Sequence, residues 1–224
     1  MRLYGKQISR SYFRNNGESN YFFAVKENDL QIESGKLTVV VGRSGSGKST
    51  LLNMMAGLLE PSSGKVFLDD TDLYALEDEK RSRFRNLHLG IIPQGQSGLM
   101  SLNVKENVLL PCRMYEEEVK EEDALTLLKD VGIDALADAY PNELSGGELR
   151  RMAIARALIR HPDFLLCDEP TSDLDDENTI AVLELLKRYS RNNTGILLVT
   201  HESEALNYAD EVYRMNDGIL RREK

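Results

Sequence analysis

Leu37-Thr38-Val39-Val40-Val41-Gly42-Arg43-Ser44-Gly45-Ser46-Gly47-Lys48-Ser49-Thr50 is the stretch that decides the fold. An apolar, β-branched run bounded by glycines reads as a buried strand. The residues after it satisfy every fixed position of G-x-x-x-x-G-K-[ST], and a helix should open on Lys48 and run to about Gly57. Glycines let backbone N–H groups curve around phosphate oxygens. The N-terminus of the helix adds partial positive charge. In such a loop Lys48 reaches the β- and γ-phosphates and the Ser49 hydroxyl ligates Mg²⁺. Gly42, Arg43, Ser44, Gly45, Ser46, Gly47 and Thr50 would complete the phosphate contacts. A glycine-rich turn without a ligand is the competing reading, and the strand before it and helix after it argue against that.

Downstream, Phe164-Leu165-Leu166-Cys167-Asp168-Glu169 is an apolar strand ending in two carboxylates. A buried parallel strand delivers its C-terminal residues to the ligand crevice. Asp168 is placed there to hold Mg²⁺, and Glu169 to orient and deprotonate an attacking water. Phosphoryl transfer needs mainly positioning and charge stabilisation, so few groups suffice.

The rest of the chain fits around these two segments. Short strands are expected at 7–12, 28–32, 36–41 and 65–68. The texture turns helical from about 77 to 160, with helices at 77–86, 116–131 and 148–159 and a strand at 89–92. Glu116-Glu117-Glu118 reads as a solvated acidic helix start. Strands at 164–167, 196–200 and 211–215 then alternate with helices at 176–189 and 202–209. Alternation of this kind implies a mostly parallel sheet. The expected fold is an α/β P-loop NTPase forming one domain over 1–224. A core with an N-terminal antiparallel β subdomain takes 1–84 and 161–224, and an inserted helical subdomain takes 85–160.

The rarest string is Glu143-Leu144-Ser145-Gly146-Gly147-Glu148-Leu149. By itself, Ser145 followed by two glycines is a capped helix start with exposed N–H groups. Lying between the phosphate loop and the Asp-Glu pair, it resembles the signature of the nucleotide-binding subunits of ABC transporters. The resemblance runs from about 3 to 220. It implies that Gln94 senses Mg²⁺ and the attacking water, and that His201 contacts the γ-phosphate. It also implies that Ser172-Asp173-Leu174-Asp175 crosses between subunits. Tyr12 resembles the aromatic that stacks on adenine; Phe13 and Tyr21 compete for that role, and a core aromatic is the other reading. His88 and His161 match nothing and read as structural. Within the family, 89–94, 99–110 and 143–157 are most similar to the lipoprotein-release, macrolide-export and antimicrobial-peptide-export ATPases.

The resemblance implies ATP and Mg²⁺ as ligands and a head-to-tail dimer. Ser145, Gly146, Gly147 and Glu148 of one copy would close on the ATP held by the other. It further implies an integral membrane permease as partner, no nucleic acid, and a location peripheral to the inner face of the cell membrane. Three positions depart from the usual pattern: Pro93 in place of an aromatic, Leu149 in place of Gln or Arg, and Asp173 in place of a small residue.

Composition is consistent with this. The formal net charge of −9 lacks the basic excess usual in a free-standing nucleic-acid binder. The rival class is a soluble ABC ATPase acting on nucleic acid or ribosomes, whose tandem domains, long coiled coils or basic arms are not seen here. A nucleotide-binding regulator without hydrolysis is the third class, and Glu169, Gln94 and His201 together argue against it. Cys112 and Cys167 form no metal-ligand spacing, as a reducing cytosol permits. No window reaches the ~18 apolar residues of a membrane span, and Met1-Arg2-Leu3-Tyr4 starts no signal peptide.

Overall fold

The computed structural model describes residues 1–13, 21–95, 98–115 and 120–224. The acidic start at Glu116-Glu117-Glu118 lies outside them. Two sheets and six α-helices make up the described fold. β1 (Arg2–Phe13), β2 (Tyr21–Glu33), β4 (Ser63–Leu68) and β5 (Thr71–Asp72) form an antiparallel sheet in the order β2-β1-β4-β5. The second sheet holds β3 (Leu37–Val41), β6 (Leu89–Ile92), β7 (Phe164–Asp168), β8 (Gly195–Thr200), β9 (Glu211–Asn216) and β10 (Ile219–Arg222). Its order is β10-β9-β3-β8-β7-β6, parallel throughout except at the β9–β10 edge.

β3, β7 and β8 are buried along their whole length, as expected of parallel strands covered on both faces. Successive side chains point to opposite faces. Leu37, Val39, Leu165, Ile196 and Leu198 therefore join one core, with α3 (Val104–Arg113), α4 (Glu121–Asp130), α5 (Gly146–Leu158) and α6 (Asp176–Arg191). Val40, Phe164, Leu166, Leu197 and Val199 join a second core, shared with α1 (Lys48–Met55) and the antiparallel sheet. Burying one such side chain contributes roughly 1.5–3 kcal/mol, so the strands that carry the site are anchored by both cores.

Several elements differ from the sequence expectation. β1 begins at Arg2 rather than near Gln7; exposed Lys6 and Gln7 interrupt its alternation and hide the period of the strand. β6 pairs with β7 in the core sheet although it falls within 85–160. α2 (Asp78–His88) runs directly into it. α3 carries Pro111 inside it, which disguises a helix that Asn103 and Glu106 cap reciprocally. The helix expected at 202–209 is a 3₁₀ segment, Glu204–Tyr208. The chain there must return from the end of β8 to the start of β9, and a 3₁₀ turn rises about 2.0 Å per residue against about 1.5 Å for an α-helix. Among the described residues no helix is long and apolar enough to cross a membrane.

Candidate active site

Parallel register brings four strand ends together. Val41 pairs with Thr200, Asp168 with Val199, and Ile92 with Cys167. The residues that follow these ends therefore emerge at one edge of the sheet: the phosphate loop after β3, Glu169 after β7, His201 after β8 and Gln94 after β6. A cavity of about 450 Å³ opens there, lined by Ser44, Gly45, Gly47, Lys48, Ser49, Thr50, Gln94 and Glu169.

The loop is shaped by tight contacts. Gly47 has φ +104°, and a Cβ there would stand 2.1 Å from the Ala24 carbonyl oxygen, so only glycine fits. No side chain caps α1; its first N–H groups are thereby left for an anion. The Lys48 ammonium is buried and donates to the carbonyls of Gly42 (2.8 Å) and Arg43 (3.2 Å). It also stands 3.5 Å from Glu169 Oε1.

The hydroxyl of Ser49 donates to Asp168 Oδ1 at 3.0 Å. Burial raises the Asp168 carboxyl above the usual carboxylate range; the neighbouring Glu169 adds to this and the Ser49 hydrogen bond opposes it. Glu169 is buried, with φ +47°. Its Oε2 accepts from Thr200 Oγ1 (3.1 Å) and the His201 backbone N–H (3.2 Å), and lies 2.9 Å from His201 Nδ1. His201 thus lies against the carboxylate with its ring largely exposed. His88 contacts Asp163 at 2.6 Å, away from this cavity, in keeping with a structural role.

The Ser145 segment stands apart from the cavity. Ser145 caps α5: its backbone N–H and hydroxyl both donate to Glu148 Oε2 at 2.7 Å, and the Glu148 N–H donates back at 3.4 Å. These donors hold the Glu148 carboxyl below its ordinary range. Ser145 and Gly146 are exposed, whereas Gly147 is buried against Asn178, with which a Cβ would collide at 2.4 Å. Within one chain, then, this segment and the phosphate loop are not brought together. Arg150, one turn further along α5, is buried and donates to the Pro93 carbonyl at 3.2 Å, which ties α5 to the Gln94 segment. Leu149 is buried in the core, which accounts for an apolar residue at that position. Asp173 is exposed, with φ +66°.

Tyr12 is paired across the sheet with Phe22, ring centroids 5.7 Å apart, and the Arg10 guanidinium lies over its ring at 5.0 Å. The aromatic residues on the cavity wall are Phe22 and Phe23. Sequence reasoning did not single out these two, nor Lys26 and Asp217 beside them. They reach the wall because β2 extends back to Tyr21 and pairs with β1, Phe22 opposite Tyr12 and Phe23 opposite Ser11. Beyond Gln94, Gln96 and Ser97 lie outside the described residues. Leu99 and Met100 are exposed. The turn that carries them is held by buried Asn107, which accepts from Leu99 N (2.8 Å) and donates to the carbonyls of Leu99 (3.0 Å) and Leu102 (2.9 Å).

A phosphate loop on an open parallel sheet, with a carboxylate pair and a histidine at the strand ends, defines a nucleotide-hydrolysing P-loop protein. Comparison with known proteins narrows this. The family model for ABC transporters matches residues 25–172. The lipoprotein-releasing system ATP-binding protein LolD of Bdellovibrio bacteriovorus is 41% identical, over 94% of this chain and 96% of its own. The ABC transporter ATP-binding protein YtrE of Bacillus subtilis is 36% identical, over 92% and 90%. Among solved structures, dimeric MJ0796, a bacterial ABC transporter cassette, superposes with a TM-score of 0.90 at 31% identity, covering 99% of this chain and 98% of that one. The same cassette in a post-hydrolysis state with ADP and Pi gives 0.90 at 30%. The chain belongs to the ABC transporter family, as an ATP-binding and ATP-hydrolysing subunit. The reading as a soluble ATPase acting on nucleic acid is therefore set aside.

Proposed function

We propose that two copies of the chain close head to tail around two ATP molecules and drive a separate membrane permease of the lipoprotein-release or macrolide- and peptide-export kind. The observation that carries this is the placement of Ser145 and Gly146: a capped, exposed helix start outside the cavity that holds Lys48. The dipole of α5 and the exposed backbone at Gly146 suit an anion there, and a second copy is the direct way to supply one. The dimeric cassette of similar fold supports the arrangement.

Each residue then has a role. Lys48 and the loop from Gly42 to Thr50 hold the phosphates. The Ser49 hydroxyl and Asp168 carboxylate, already paired, are hard oxygen donors suited to Mg²⁺, with Gln94 close by in the same cavity. When bound, the ion neutralises charge on the β- and γ-oxygens. Glu169 is the general base for water, and His201 is held by Glu169 in reach of the γ-phosphate. Adenine lies against the aromatic edge formed by Tyr12, Phe22 and Phe23. The division into a core and a helical subdomain carrying Ser145 follows the same plan, as does a location on the inner face of the membrane.

The segment after Gln94, roughly 96–104, is the docking candidate for the permease. Replacing Leu99 and Met100 with aspartate is expected to abolish co-purification with the membrane partner while isolated ATP turnover stays within about twofold. Retained co-purification would overturn the docking assignment. Asp173→Asn removes a charge at the dimer seam and still tolerates positive φ. It is expected to change the Hill coefficient for hydrolysis more than the affinity for ATP. An unchanged coefficient would contradict a seam position.

A further inference from the structure

We propose that Glu202 is a positioning residue for hydrolysis: its carboxylate fastens the turn that follows Glu169 to the segment that carries His201. The inference rests on the roles given above to Glu169 and His201.

The chain leaves β7 through Glu169 in the left-handed region and enters a turn at 170–173. Local bonds hold this turn: the Ser172 N–H and hydroxyl both donate to the Glu169 carbonyl, at 3.3 and 3.0 Å. Thr171 inside the turn has no solvent exposure. Its hydroxyl donates to Glu202 Oε2, on the continuation of the neighbouring strand β8. A buried hydroxyl needs a partner, and a carboxylate acceptor gives a bond roughly twice as strong as a neutral one. The backbone of Glu202 is anchored as well. Its N–H donates to Thr200 Oγ1 at 3.1 Å, and that same hydroxyl donates to Glu169 Oε2.

Glu202 therefore closes a ring: Glu169 to Thr200, Thr200 to the Glu202 backbone, the Glu202 carboxylate to Thr171, and Thr171 through the chain back to Glu169. His201 lies inside this ring, bonded to Glu169 by both its backbone and its imidazole. The ring fixes the direction in which Glu169 leaves its strand. It also couples any movement of His201 to the 172–175 loop. Loss of the carboxylate would leave the Thr171 hydroxyl unpaired and release the turn, without touching the phosphate loop. Misplacing a catalytic group by about 1 Å costs on the order of 10²-fold in rate, so partial release should lower turnover while binding persists.

The test is a double-mutant cycle on the full chain, read as kcat and KM for Mg²⁺-dependent ATP hydrolysis together with thermal unfolding with and without ATP. Glu202→Ala is expected to lower kcat about tenfold, with KM within about twofold. Thr171→Val, which keeps the shape without the hydroxyl, should do the same and guards against a misfolded alanine variant. The double variant should be no slower than the slower single one, since the two residues act as one link. Glu202→Gln keeps an acceptor and should recover most of kcat. Additive losses, full kcat in Glu202→Ala, or no recovery in Glu202→Gln would overturn the assignment. Absence of turnover in the unmodified chain would instead overturn the hydrolytic roles themselves, and this inference with them.

Discussion

Glu169→Gln is expected to lower ATP turnover by about 10²- to 10⁴-fold, the range supplied by a positioned general base, while leaving ATP-driven dimerisation intact. Glutamine keeps the size of the side chain and one acceptor oxygen. Three donors converge on Oε2: the Thr200 hydroxyl, the His201 N–H and the His201 ring. The amide oxygen will therefore take that side, and the amide nitrogen will face the Lys48 ammonium. That is the weaker of the two positions, since Lys48 stands 3.5 Å away and is already held by two carbonyls. The scaffold should survive and the basicity should not. Removing the negative charge beside Asp168 also favours nucleotide, because one fewer anion faces the phosphates. Turnover at saturating ATP and size-exclusion chromatography with and without ATP check the two halves of this expectation. Near-normal turnover would sink the general-base role. Lost dimerisation would show that the carboxylate holds the loop in shape as well.

Much of this site was legible in sequence because its constraints are local. Lys48 and Ser49 open α1 at a fixed distance from Gly42, and Gly47 needs a backbone that few other residues adopt. Asp168 and Glu169 end a strand that is apolar throughout. What escaped depends on register between distant segments. Glu202 looks like one acidic residue after a histidine until β7 and β8 align and Thr171 faces it. Phe22 and Phe23 reach the cavity only through the fold of the β1–β2 hairpin against the phosphate loop. α3 was hidden by Pro111, which local propensity counts against a helix. Ser145 shows the opposite limit: its cap was readable, but within one chain the segment stands apart from the cavity it would serve.

Lys48→Met is expected to remove most of the affinity for ATP, by about 10²-fold, and with it both hydrolysis and dimerisation. Methionine retains much of the aliphatic stem, so the packing of α1 against the second core is largely kept. The ammonium is lost, and a charge-assisted contact to phosphate is worth about 1.5–3 kcal/mol. Two further effects act in the same direction. The carbonyls of Gly42 and Arg43 lose the donor that now draws them inward, so the loop closes less readily around an anion. Glu169 loses its nearby cation, and two adjacent carboxylates then face the phosphates without the Lys48 charge between them. This outcome differs from that of Glu169→Gln in a way one experiment separates. A ligand that binds only the folded state raises stability by about 2.7 kcal/mol at 100 times its Kd. ATP should therefore raise the unfolding temperature of the glutamine variant at least as much as that of the unmodified chain, and leave the methionine variant nearly unmoved. An undiminished ATP-induced shift in Lys48→Met would mean that the backbone N–H groups of the loop alone carry phosphate recognition.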